Sequence, residues 1–147
     1  MKQEVLDAVQ AALTGEVEAA RRLSELWQAL PPDDFFHRCV LAHYVADLQT
    51  EPNAELHWDE LALEAALAAV PESFEQQMPG LTWASFLPSL HLNLASSYER
   101  TSSPLLAQEH ARLALRSSAT LPATPLAETT RGAILRICER LGVSREA

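Results

Sequence analysis

Glycine is scarce in this 147-residue chain, with four positions, and β-branched residues number only 17 (7 Val, 2 Ile and 8 Thr). Strands favour β-branched and aromatic side chains, so this shortage argues against a sheet protein. So few glycines also leave no phosphate-cradling loop, and neither G-x-G-x-x-G nor G-x-x-x-x-G-K occurs. Cysteine is limited to Cys39 and Cys138, which have no C-x-x-C spacing. In a reducing compartment two such cysteines are expected as free, largely buried thiols. Basic residues number 11 against 20 acidic ones, a net charge of −9. That balance repels phosphate backbones, so nucleic acid is not an expected partner. The one concentration of arginine, Arg131, Arg136, Arg140 and Arg145, is interleaved with Glu128, Glu139 and Glu146 and reads as a solvated helix face. No apolar run approaches the ~20 residues of a membrane span, and the Met-Lys-Gln-Glu-Val start has no long apolar stretch. A cytoplasmic protein without membrane contact is the expectation.

What the chain has is alanine and leucine, 24 of each, about a third of all positions. Both are strong helix formers. The nine prolines punctuate the chain into helical windows. Val5, Leu6, Val9 and Leu13 mark a helix over 2–13, which Thr14-Gly15 breaks. Leu23, Leu26, Trp27 and Leu30 mark a second over 16–30, stopped by Pro31-Pro32. Asp33-Asp34 stands where an N-cap belongs before a third helix over 34–49. Pro52-Asn53 turns the chain, with Asn53 as the expected cap of a helix over 54–70. Residues 71–84 read as irregular, with room for a short helical turn. A fifth helix is expected over 85–100 with Pro88 in its first turn. Ser102-Ser103-Pro104 starts a sixth over 104–120, and Pro122 and Pro125 precede a seventh over 126–141, closed by Gly142. Gly132 lies inside that last helix at a cost of about 1 kcal/mol relative to Ala, and close helix packing or self-association there is the expected return. Helices of this length joined by short connections imply antiparallel neighbours.

One stretch carries a repeat signature. It runs His91, Leu94, Ala95 and Tyr98, breaks at Ser102-Ser103, and continues with Ala107, Ala111 and Ala114. This resembles the tetratricopeptide repeat, in which small residues let two helices approach closely and a tyrosine fills the space beside them. Ser102 stands at the usual turn glycine, Ala111 at the usual aromatic of the second helix, and the closing proline comes late, at Pro122. Weaker copies lie at Leu41-Ala42 with Val45 and at Gly15 to Ala20. The resemblance implies an all-α, right-handed array of antiparallel helical hairpins over 2–30, 34–70 and 85–121, about seven helices in one domain, capped by a helix over 126–141.

The resemblance also implies a non-enzymatic interaction module without cofactor, whose first helices line a groove for a protein or peptide. The groove positions would be Cys39, His43 and Asp47 on the third helix, and Ser89, Leu92, Asn93, Ser96, Glu99 and Arg100 on the fifth. Asn93 stands where family members place an asparagine toward the ligand backbone, whereas their clamp of Lys and Arg for a C-terminal carboxylate is not evident. An exposed Ala/Leu stripe at an array end would favour a homodimer. Read from the residues alone, Cys39, His43 and Asp47 recur at i, i+4 and i+8 and form one row. The plain reading is a partly buried thiol beside a hydrogen-bonded His43–Asp47 pair. A metal or small-molecule site completed by His91 is the alternative, and a thiol nucleophile the remote one. His37, His57 and His110 lack a same-face partner pattern, and the neighbours His57, Trp58, Asp59 and Glu60 point apart on a helix. Trp27 and Trp58 are expected as packing residues, Trp83 as packing or as an exposed anchor.

Overall fold

The computed structural model describes residues 2–144. Among them all regular structure is helical: α1 Gln3–Leu13, α2 Ala19–Ala29, α3 Phe35–Asp47, α4 Pro52–Ala68, α5 Glu72–Gln77, α6 Trp83–Arg100, α7 Pro104–Ser117 with a 3-10 turn at Ser118–Thr120, and α8 Pro125–Leu141. No strand occurs among the described residues, and none of their helices is long and apolar enough to cross a membrane. The described residues form eight α-helices rather than seven, because the 71–84 stretch holds α5, anchored by the fully buried Phe74. Arg145 and Glu146 lie outside the described residues.

The helix ends follow local chemistry, with three corrections. Asp34 caps α3 by accepting from the His37 backbone N–H. At α4 the cap position is Glu51 and Pro52 opens the helix, so Asn53 is inside it. α6 begins at Trp83, where Thr82 and Ser85 form a reciprocal capping box. Pro88 therefore falls beyond the first turn, inside the helix. It has no N–H for the Ala84 carbonyl four residues back; the Thr120 hydroxyl lies 3.5 Å from that oxygen but is closer to the Ser117 carbonyl, at 2.9 Å. Gly132 has only its own helix's Arg136 guanidinium within reach of an added Cβ, at 3.2 Å. The expected close approach of another helix at that position is absent.

Three apolar clusters run along the chain. Val5, Val9, Leu23 and Leu41 join α1, α2 and α3. Phe36, Cys39, Val40, Ala62, Ala66, Phe74 and Leu90 join α3, α4, α5 and α6. Ala95, Ala111, Ala114, Ile134 and Ile137 join α6, α7 and α8. Apart from α5, which meets α3 and α6, each helix packs mainly on its neighbours in the chain, and α4 also packs against α6. The tryptophans are packing residues: Trp27 meets Trp58 edge-on at 5.1 Å, and Trp83 Nε1 donates to the Ala66 carbonyl at 2.7 Å. Arg38 lies 4.0 Å over the Trp27 ring.

Two left-handed positions differ in how they are filled. Gly142 (φ +71°) ends α8, and the Val143 N–H then bonds the Cys138 carbonyl at 2.8 Å, folding Val143 back onto the core. Ser102 (φ +61°) adopts the same region in the α6–α7 connection with a side chain that disfavours it. Ser102→Gly is expected to raise unfolding stability by about 1 kcal/mol. Gly142→Ala should lower it by a similar amount. Urea unfolding of the two variants beside the wild type checks both signs.

Candidate functional site

The α3 row is only partly what its spacing implies. Cys39 is completely buried in the middle apolar cluster, and burial pushes its thiol up to about 12. Such a sulfur stays protonated at neutral pH and is no nucleophile. One turn on, His43 is half-buried, with its ring edge-on to Tyr44 and Phe86. Its hydrogen bond is not with Asp47, as the row suggests. Asn93 Nδ2 on α6 donates to His43 Nδ1 at 3.2 Å. Burial holds the imidazolium of His43 below its ordinary pKa, and the Asp47 charge opposes this. Asp47, at the end of α3, is held above the usual carboxylate range by loss of water, with His43 opposing and Glu55 adding repulsion.

On α6 the groove candidates divide. Ser89, Leu92, Asn93 and Ser96 are half-buried, and Asn93 is tied to His43. Arg100 is held by Glu55 on α4, and Glu99 by Arg140 on α8 at 3.0 Å. These two charges bind neighbouring helices together. His91 faces another way, with its Nδ1 3.1 Å from Nδ1 of His110 on α7. The alternative set of Cys39, His43, Asp47 and His91 is therefore split between the apolar core, an α3–α6 contact and an α6–α7 contact. Among the described residues no three His, Cys, Asp or Glu side chains are grouped to hold a metal ion.

The structure joins polar residues that the sequence left apart. Buried Asp59 on α4 accepts from the Ser97 hydroxyl on α6 at 2.6 Å. Burial pushes Asp59 up to about 6, the Ser97 bond works against that, and the charges of Glu55 and Asp47 add to it. Tyr98 donates to Glu60 at 3.0 Å and stacks on His110 at 5.4 Å, while His110 stacks on His91 at 5.3 Å. Burial and the neighbouring His110 push His91 down to about 4. At neutral pH the pair is uncharged, so one imidazole N–H donates to the other ring. His37, buried at the start of α3, shares a 2.8 Å hydrogen bond with Asp34, and its Nε2 accepts from the Lys2 backbone N–H at 3.1 Å. That contact ties the start of α1 to α3. Of these side-chain pairs only Asp34–His37 is local in the chain, and no partner of this kind was expected for His37. Asp59, Ser97, Glu60 and His110 carry no local mark of their partners, which are 19 or 38 residues away in the chain.

A shallow cavity of about 300 Å³ opens between α7, the 3-10 turn and α8, lined by Leu115, Ser118, Ala119, Arg131, Ile134 and Leu135. Arg131 is committed to Glu128 and to the carbonyls of Leu121 and Pro122.

Two measurements follow. Folded Asp59 keeps its proton to about pH 6, but in the unfolded chain only to the ordinary aspartate value of 3.8. Rising pH across that window therefore favours unfolding at this site, while His91, with its depressed pKa, has the opposite slope. Asp59→Asn still accepts from Ser97. It should gain stability over the wild type as pH rises from about 4 to about 6 and keep a constant margin above that. Urea midpoints across the window read the difference, and a pH-independent margin would contradict the assignment. Cys39 should resist alkylation by iodoacetamide in the folded protein at neutral pH and react fully once the chain is unfolded, read by mass spectrometry. No family model, curated protein or solved structure matches this chain.

Proposed function

We propose that the chain is a small tetratricopeptide-like array of right-handed, antiparallel helical hairpins that binds a protein or peptide and carries out no reaction of its own. The observation that carries this reading is the α6–α7 contact. Ala95, Ala107, Ala111 and Ala114 have no exposed surface at all. Ala95, Ala107 and Ala114 stand at positions where the repeat has small residues, whereas Ala111 stands where it has an aromatic and departs from the pattern, although it is as deeply enclosed. The packing order gives further support. Helices meet their chain neighbours, α1 also touches α3, and α6 also touches α8, as stacked hairpins would arrange them.

The proposed partner face is formed by α3 and α6, where Ser89, Leu92, Asn93 and Ser96 keep partial exposure. A peptide lying there would meet the Asn93 amide, which has hydrogen-bonding capacity beyond its bond to His43. Arg100 at the end of α6 would set the charge at one end of the face. A reducing, cytoplasmic location suits the two free, buried thiols Cys39 and Cys138. The test is affinity capture from a native cell extract with the wild-type chain and with the Asn93→Ala, Arg100→Ala double variant, both confirmed helical by circular dichroism. Partners retained by the wild type should be lost from the variant. Equal retention by both would remove the α3–α6 face as the binding surface.

A further inference from the structure

Between Cys39 and Glu99 the chain has nine Asp and Glu residues and not one Lys or Arg. Four of those acids are used internally: Glu55 meets Arg100, Glu99 meets Arg140, Asp59 accepts from Ser97, and Glu60 accepts from Tyr98. Around the end of α4 the situation differs. His57, Glu60, Glu64 and Leu67 follow one another at intervals of three and four residues, and all four are exposed, so they share the outer face of the helix. Leu67 is 61% exposed, and Val70, just past the helix end, is 65% exposed. α5 follows at once with Glu72 and Glu75, both exposed. Among the described residues Glu64, Glu72 and Glu75 have no cationic partner.

We infer that the Leu67–Val70 face docks a basic amphipathic segment of another protein, its apolar side chains covering Leu67 and Val70 and its Lys or Arg side chains meeting Glu64, Glu72 and Glu75. Charge complementarity selects this occupant. Two large aliphatic side chains in water favour an apolar cover, worth roughly 25 cal/mol for each Å² removed from solvent. The carboxylates around them repel both nucleic acid and an anionic membrane surface, the other common partners of exposed apolar and charged patches. A helix with one apolar stripe flanked by cations answers both features together. The face uses none of the α3 and α6 residues assigned above, so it stands or falls independently of that assignment.

The experiment uses the full chain and a labelled synthetic helix of Leu and Lys with one apolar face, read by fluorescence anisotropy. A shuffled peptide of the same composition, without an apolar face, is the reference. The wild type should bind the amphipathic peptide about tenfold more tightly than the shuffled one. Leu67→Ser with Val70→Ser, and separately Glu64→Gln, Glu72→Gln and Glu75→Gln together, should each weaken it about tenfold. All five positions except that of Val70 lie on exposed helix surface, and Val70 is exposed beyond the helix end, so circular dichroism should be unchanged. Unaltered binding by both variants would overturn the inference. So would an equal loss from Glu4→Gln, Asp7→Gln and Glu16→Gln on the distant α1 and its following turn, which would reduce the effect to net charge. A wild-type dimer in sedimentation velocity that dissociates on Leu67→Ser with Val70→Ser would assign the face to a second copy of the chain and overturn it as well.

Discussion

Ala95, Ala107, Ala111 and Ala114 form a seam with no exposed surface where α6 meets α7. Side chains this small bring two helical backbones close together, and closeness decides what else can happen at the contact. His91 and His110 come to 3.1 Å, and Tyr98 lies flat on His110 beside the same seam. A larger residue at any of the four positions would push the helices apart and separate these rings, because a packed interior has little room to yield. Ala62, Ala65 and Ala66 are buried on α4 as well. There Ser97 reaches Asp59, and Trp83 reaches the Ala66 carbonyl.

The polar contacts across these seams set which residue of one helix faces which of the next. Alanine and leucine surfaces slide easily, since many registers bury similar area. A buried carboxylate that must meet one hydroxyl, or a tryptophan N–H that must meet one carbonyl, leaves a single register free of the cost of an unsatisfied polar group. This use has a consequence for chemistry. The side chains best suited to a reaction are occupied in joining helices: Asp59 with Ser97, His91 with His110, His37 with the Lys2 backbone, His43 with Asn93. Their pH responses also oppose one another, because raised Asp59 and depressed His91 titrate over overlapping ranges with opposite effects on folding.

Much of the fold was legible from proline, glycine and helical periodicity. Pro104, Pro125 and Gly142 mark helix ends where the structure has them, and the windows over 2–13 and 34–49 differ from α1 and α3 by a residue or two. The signals that misled were those with two local solutions. Asn53 is a good cap, but Pro52 is a better first residue of a helix, and the helix starts there. Pro88 is unfavourable within a helix, yet the Thr82–Ser85 box starts α6 earlier, and the freed Ala84 carbonyl has the Thr120 hydroxyl 3.5 Å away. Thr120 lies 36 residues from Ala84, beyond any local pattern.

The candidate site was legible only as far as its row. The interval of four residues put Cys39, His43 and Asp47 on one side of α3, since helix geometry alone sets that. The sequence by itself therefore determined most of the helices, several of their ends and the side of each helix on which a residue stands, because these depend on neighbours within a turn or two. Tertiary structure alone decided that Cys39 lies in an apolar core, that His43 meets Asn93 fifty residues away, and that His91 turns toward His110. Those outcomes depend on which helices pack and in what register. Packing is settled by the summed burial of surfaces and by a few long-range hydrogen bonds, neither of which leaves a mark on any short stretch of the chain.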